Sequence, residues 1–142
     1  MYRIFSVFET LTQQRESMNL NQITVPSLDV IKSVEFYSKL GLRLIVDALP
    51  RYARFECPEG QATFSVHRVD TLPIGEGITI YFENENLDRQ VEELKAKGII
   101  FTSEPEDKPW LWREAHLNDP DGNKVILFCA GANRKNPPWR IN

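Results

Sequence analysis

The chain has 142 residues, of which 42% are hydrophobic, and its 17 basic and 20 acidic residues give a net charge of −3. This length predicts one domain, or two small ones that share a core, and the interspersed charges lack the basic face that binding to nucleic acid requires. No apolar run approaches the ~20 residues of a membrane span, and two distant cysteines, Cys57 and Cys129, fit a reduced, cytoplasmic setting better than a disulfide framework.

Residues 1–17 form an N-terminal extension that precedes the first clear element. Their apolar start is too short and too interrupted for a secretory signal. Two interpretations remain open. The extension is either an appendage or a segment read from an upstream start codon, or it is an amphipathic helix that packs on the domain or on a partner.

The first half, about residues 18–72, has the order strand, helix and three strands. Leu20–Val25 alternates between polar and apolar residues and is predicted to be a strand. An apolar helical stripe follows, with Ser27 or Asp29 as its cap, and Gly41 ends it because glycine tolerates positive φ. Three further strands are predicted at Leu42–Ala48, Arg51–Cys57 and Ala62–Val66.

The second half, about residues 77–130, repeats this order after a linker at Thr71–Gly77. Ile78–Phe82 is predicted to be a strand, and a helix is predicted between a cap at Asn86 and Gly98. Glu104–Trp110 is predicted to be a polar loop with two prolines. The remaining strands are predicted at Ile99–Ser103, Leu111–Asn118 and Lys124–Cys129. An α+β fold of two βαβββ modules follows, with residues 131–142 as a Pro-rich C-terminal tail.

Two motifs in this repeat resemble a known superfamily. The sequence from Val34 to Leu42 is similar to the helix-end "FYxxxLG" signature of vicinal oxygen chelate proteins, the glyoxalase, bleomycin-resistance and extradiol-dioxygenase superfamily. The sequence from His116 to Leu127 contains the "DPDGN" turn that this superfamily places before its last strand. The resemblance covers about residues 18–130. It implies paired curved sheets around a cleft, and we expect a homodimer that binds a small molecule.

In metal-using members of the superfamily, the ligands come from the first and last strand of each module. The matching positions here hold Gln22, Ser65 (or Phe64, if the register shifts by one), Thr79 and Ile126. Protein metal sites use imidazole, thiolate and carboxylate ligands, whereas this set offers one amide, two hydroxyls and a hydrocarbon. We therefore expect no metal cofactor, with a divalent metal at a relocated site as the alternative.

Trp110, Trp112 and Arg113 follow a loop that would border the cleft. Aromatic faces and a guanidinium suit a flat or anionic ligand, because stacking supplies contact area and arginine supplies paired donors. The alternative is that the tryptophans pack the loop onto the sheet. Tyr81 shares a strand face with Thr79 and is a second aromatic candidate.

The two histidines have open alternatives as well. His67 lies on the strand face of Ser65 and is either a metal ligand, a base or a hydrogen-bond partner of a ligand, or it is an exposed strand-end residue. His116 is either a group that titrates at the cleft rim or an edge-strand residue. Gln22 needs hydrogen-bond partners on its inward face, either a ligand or a neighbouring side chain.

The function predicted from these residues is binding of a small organic ligand in an aromatic-lined cleft without a metal. The alternatives are a metal-dependent lyase, isomerase or dioxygenase of the same superfamily, and a dimeric interaction module that binds no small molecule. The predicted ligand-binding residues are Gln22, Ser65, His67, Thr79, Tyr81, Trp110, Trp112 and Arg113.

Overall fold

Two four-stranded mixed sheets, each with one helix, make up residues 18–141, the part of the chain that the computed structural model describes. Both interpretations of residues 1–17 lie outside the described residues. No helix within the described part is long and apolar enough to span a membrane.

The first module contains sheet A, whose strands lie in the order β1-β4-β3-β2. The β1–β4 pair is parallel and the other two pairs are antiparallel. Its elements are β1 (Gln22–Ser27), α1 (Val30–Leu40), β2 (Arg43–Ala48), β3 (Tyr52–Glu56) and β4 (Thr63–Arg68).

The second module contains sheet B, in the equivalent order β5-β8-β7-β6. Its elements are β5 (Thr79–Glu83), α2 (Leu87–Ala96), β6 (Ser103–Asp107), β7 (Arg113–Asn118) and β8 (Lys124–Cys129), followed by a short 3₁₀ turn at Gly131–Asn133. The predicted βαβββ repeat is therefore confirmed. Within residues 18–141, no strand pairs with the outer edge of β1 or of β5.

The helix caps are partly as predicted. The carboxylate of Asp29 accepts a hydrogen bond of 3.2 Å from the Lys32 backbone N–H, and Gly41 ends α1 with φ of 112°. Asn86 precedes α2, but its side chain makes no capping hydrogen bond. Instead, its own N–H donates to the side chain of Asn84 at 2.7 Å.

The strand predicted at Ile99–Ser103 is wrong, because β6 begins only at Ser103 and extends to Asp107 into the predicted loop Glu104–Trp110. Ile99 enters the core directly after α2, because its N–H donates to the Leu94 carbonyl of the last helical turn. β6 lies at the edge of sheet B, and its register with β7 shifts between Ser103 and Glu106. An exposed edge strand with a bulge needs no apolar alternation, so its sequence resembles a loop.

One hydrophobic core serves both modules. Phe64 and Phe82 lie on the helix-covered faces of sheets A and B, and their ring centroids are 6.1 Å apart. The modules therefore join through these faces. Each sheet also has a face that no helix covers, which we call its open face, and both open faces are turned away from the shared core.

A buried hydrogen bond connects the two sequence motifs across the module boundary. The Tyr37 hydroxyl, in α1, donates to Asp119 Oδ2 at 2.6 Å. Asp119 also accepts from the backbone N–H of Asp121 and from the backbone and side chain of Asn123, at 2.8–2.9 Å. Burial raises the pKa of the Tyr37 phenol, and the charge of Asp119 raises it further. Tyr37 is therefore a permanent donor that holds the DPDGN turn against α1.

Candidate functional site

The open face of sheet B carries an aromatic cluster, which we define as Tyr81, Trp112 and Phe128. The rings of Trp112 and Phe128 are stacked, with centroids 4.6 Å apart and planes inclined by 17°. Tyr81 meets both rings edge-on, at centroid distances of 5.9 Å and 5.7 Å. Phe128 is buried, whereas Tyr81 is 49% exposed and Trp112 is half-buried. The cluster therefore has a supported base and an accessible aromatic surface.

A buried carboxylate lies beside this cluster. Glu114 alternates with Trp112 along the chain, and its side chain is 3% exposed. Its Oε2 accepts from Trp110 Nε1 at 2.7 Å, and its Oε1 lies 2.8 Å from His116 Nε2. Both carboxylate oxygens thus have partners, as a buried charge requires. The hydrogen bond directs Trp110 toward the open face, where it is 45% exposed.

The start of the C-terminal tail lies against the same cluster. Glu83 Oε2 accepts from the backbone N–H groups of Ala130 and Gly131 at 2.8 Å and 3.1 Å. Trp112 Nε1 donates to the Asn133 carbonyl at 3.3 Å. These bonds fix the tail where it leaves β8 and limit the freedom of the Trp112 indole.

A groove of about 720 Å³ runs along the outer edge of β5, between the two modules. Tyr81 belongs to both the groove and the aromatic cluster, while the β3–β4 turn at Cys57–Gly60 forms the opposite wall. Gln90 also lines this groove, and its buried side-chain oxygen has no hydrogen-bond partner among the described residues. The groove therefore offers a buried acceptor close to aromatic surface.

Arg113 lies on the other face of sheet B from Trp112. Its Nε and Nη2 donate to the two carboxylate oxygens of Asp88 in α2, at 2.8 Å and 3.0 Å, and its Nη1 donates to Asp107 at 2.9 Å. The hydrogen bonds with Asp88 and Asp107 raise the pKa of Arg113. The structure thus separates the predicted group of Trp110, Trp112 and Arg113, because neighbouring residues on a strand point to opposite faces.

The other predicted residues are divided between the two open faces. Thr79 is exposed on sheet B, two residues before Tyr81. On sheet A, Gln22 Oε1 accepts from the Thr63 hydroxyl at 2.8 Å. Ser65 is fully buried and shares a 2.5 Å hydrogen bond with Thr24. His67 lies exposed at the end of the same row of side chains.

Tyr52 and Arg54 complete the open face of sheet A, and neither was predicted as a site residue. Arg54 pairs with Ser65 across the β3–β4 ladder, and Tyr52 pairs with His67. Arg54 Nε donates to the Tyr52 hydroxyl at 2.9 Å. Burial raises the pKa of Tyr52, but the Ser65 hydroxyl and the Arg54 guanidinium outweigh burial, so that the pKa lies below its ordinary value. The alternation in Tyr52–Glu56 was the signal that both side chains share a face.

The four positions that correspond to metal ligands in the superfamily do not fit a metal. Gln22 and Ser65 are already hydrogen-bonded to neighbouring hydroxyls, and Ile126 is a buried hydrocarbon beside the aromatic cluster. Within residues 18–141, no group of three His, Cys, Asp or Glu side chains is placed to hold a metal ion. His67 and His116 lie on different sheets.

Comparisons with known proteins agree with this architecture. The family model described as the Glyoxalase/Bleomycin resistance protein/Dioxygenase superfamily matches residues 19–127. The uncharacterized protein YraH of Bacillus subtilis (strain 168) is 30% identical over 125 residues, which are 78% of this chain and 98% of that protein.

Two solved structures show the same fold. A glyoxalase/bleomycin resistance protein/dioxygenase from Nocardioides is 26% identical with a TM-score of 0.70, and the match covers 95% of this chain and 99% of that one. A bleomycin-binding protein in complex with bleomycin is 21% identical with a TM-score of 0.64, and the match covers 80% of this chain and 98% of that one.

Proposed function

Because the chain belongs to the glyoxalase/bleomycin resistance protein/dioxygenase superfamily, we propose that it binds a small organic ligand against the aromatic cluster of sheet B, without a metal. The observation that carries this proposal is the stacked Trp112–Phe128 pair on a face that no helix covers. A half-exposed indole on a buried support is a preformed surface for a flat ligand.

The size and chemistry of the site support a small molecule. The adjoining groove of about 720 Å³ lies within the range of ~300–1,000 Å³ that is usual for ligand pockets. Burial of apolar surface contributes ~25 cal/mol per Å², and ring stacking adds ~1 kcal/mol. Tyr81 extends the aromatic surface into the groove, so one ligand can contact both.

We also propose that two copies of the chain form a homodimer through their open faces and free strand edges. Both open faces are uncovered within the chain, and the outer edges of β1 and β5 have no partner strand among the described residues. Light scattering behind a sizing column tests the homodimer, with twice the chain mass as the expected result.

The bleomycin-binding protein with the same fold was solved with bleomycin bound, which supports ligand binding as a use of this scaffold.

Ligand binding is tested with a library of flat aromatic compounds, screened by thermal shift and confirmed by calorimetry. Replacement of Trp112 by alanine is expected to weaken a confirmed hit by about tenfold or more, because stacking and buried area are lost together. Trp139→Ala is the matched control, since Trp139 lies in the tail and is 57% exposed. Equal affinities for the wild type and Trp112→Ala would refute the proposed location.

The metal-free part of the proposal has a separate test. The purified protein is stripped of metal with a chelator and titrated with Ni²⁺, Zn²⁺, Mn²⁺ and Fe²⁺ by calorimetry. Amide, hydroxyl and hydrocarbon groups at Gln22, Ser65, Thr79 and Ile126 predict no stoichiometric binding. One equivalent bound at micromolar affinity or tighter contradicts the metal-free mode and favours a metal-dependent enzyme.

A further inference from the structure

We propose that Tyr52 and Arg54, supported from below by the buried Ser65, form an anion subsite on the open face of sheet A, which binds the carboxylate of an organic ligand. The inference rests on the proposed function and narrows the ligand to a flat organic acid. Contact of one ligand with both this subsite and the aromatic cluster requires that, in the proposed homodimer, the open face of sheet A in one copy meets that of sheet B in the other.

The strand register places Arg54 and Tyr52 beside Thr24 and the buried Ser65. Thr24, Ser65 and Arg54 are direct neighbours across β1, β4 and β3, so their side chains stand in one row on one face. Tyr52 stands in the next row, where its hydroxyl accepts from Arg54 Nε at 2.9 Å. This contact fixes the guanidinium in place and leaves its terminal N–H groups and the phenolic hydrogen to donate to a ligand.

The charge of Arg54 is not neutralised within the described part of the chain. None of its nitrogens lies within 4.0 Å of a carboxylate oxygen of residues 18–141, whereas Arg43, on the same face, pairs with Glu56 at 3.1 Å. Arg113 is also fully paired, with Asp88 and Asp107. Arg43 and Arg113 thus hold carboxylates, whereas Arg54 holds a phenol.

Burial makes the subsite more than a surface arginine. Ser65 is fully buried, and Tyr52 and Arg54 are half-buried beside it. Hydrogen bonds from such groups are stronger than at a free surface, because the surrounding protein screens charge less than water does. Burial raises the pKa of Tyr52, but the contacts with Ser65 and Arg54 bring that pKa below its ordinary value. The lowered pKa means that negative charge is stabilised at this point of the sheet.

The test compares three probes by NMR and calorimetry in a buffer free of carboxylate and phosphate. The probes are 2-naphthoate, the matched neutral compound 2-naphthamide, and acetate, which lacks a ring. The Nε–H signal of Arg54, assigned by its loss in Arg54→Lys, reports on the subsite. The indole N–H of Trp112, assigned by its loss in Trp112→Ala, reports on the aromatic cluster.

The subsite predicts that naphthoate binds at least about tenfold more tightly than naphthamide, since a charge-assisted bidentate contact is made only by the acid. Naphthoate and acetate should both shift the Arg54 signal. Arg54→Gln should abolish the preference for the acid, and Tyr52→Phe should reduce it. Arg89→Gln, which removes an exposed positive charge from α2, should leave the preference unchanged.

Four results are possible, and each decides the inference. Preference for the acid, together with a shifted Arg54 signal, supports the anion subsite. A shift of the Arg54 signal without any shift of the Trp112 signal supports the anion subsite and refutes the aromatic site. Equal binding of acid and amide, with Trp112 shifted and Arg54 unchanged, overturns the subsite and leaves the proposed function standing. No shift of either signal overturns both. Unfolding midpoints of all variants exclude misfolding as the cause of a lost preference.

Discussion

Removal of one oxygen atom from Tyr37 should measurably loosen the contact between the two modules. Tyr37→Phe deletes the buried hydroxyl that donates to Asp119 Oδ2 at 2.6 Å and leaves the rest of the ring in place. A hydrogen bond to a charged group contributes ~1.5–3 kcal/mol. Asp119 keeps its donors from Asp121 and Asn123, so the carboxylate is not stranded and the expected loss is about 2 kcal/mol.

Urea unfolding and thermal unfolding measure this change. For a chain of this size, about 2 kcal/mol corresponds to a fall in Tm of roughly 8 °C. Tyr81→Phe is the matched control, because the Tyr81 hydroxyl has no hydrogen-bond partner among the described residues and its side chain is 49% exposed. A double-mutant cycle with Asp119→Asn isolates the pair. A loss below about 0.5 kcal/mol, or additive effects in the cycle, would refute the reasoning.

Three further predictions follow from other contacts. The difference in unfolding free energy between wild type and Tyr37→Phe, measured by urea titration, should narrow above about pH 10. The pKa of Tyr37 is raised in the folded protein, so the stability that its hydroxyl contributes is complete below the ordinary pKa of 10.0 and is lost as pH rises. A difference that does not change with pH would contradict this. Glu114→Gln should lower the free energy of unfolding by about 1–3 kcal/mol, because a neutral amide has one acceptor oxygen in place of the two carboxylate oxygens that contact Trp110 Nε1 and His116 Nε2. Wild-type stability of this variant would show that these contacts do not stabilise the fold. Arg113→Gln should leave ligand affinity unchanged in calorimetry, because Arg113 lies on the helix-covered face, and a tenfold loss would contradict its placement.

Elements with a strong apolar pattern were predictable from the sequence, and the edge strand β6 was not. α1 begins after the cap residue Asp29, buries one stripe of side chains and ends at Gly41, where φ is 112°. Its start, buried face and end therefore all follow from residue types. β6 has the sequence Ser-Glu-Pro-Glu-Asp, and its pairing partner β7 determines its conformation. A strand that buries no side-chain face leaves no period in the sequence.

The candidate site was partly predictable for the same reason. Strand alternation placed Ser65 and His67 on one face, and the register of β1 with β4 adds Gln22 to this face, because Gln22 pairs with Thr63. It also requires Arg113 to oppose Trp112, because both residues lie within the predicted strand Leu111–Asn118, but the prediction grouped them by their position after the loop. The contact of Arg54 with Tyr52 depends on side-chain conformations, which no sequence period encodes.

The outer edges of β1 and β5, which pair with no strand among residues 18–141, have a consequence for solubility. Pro26 lies in β1 and lacks an N–H group, which weakens that edge as a template for another strand. β5, with the sequence Thr-Ile-Tyr-Phe-Glu, has no proline to interrupt it. Exposed β-branched and aromatic edges recruit further strands and seed aggregates. A chain kept from pairing with its own copy is therefore expected to aggregate through β5 rather than β1, and the proposed homodimer would protect the protein from this aggregation.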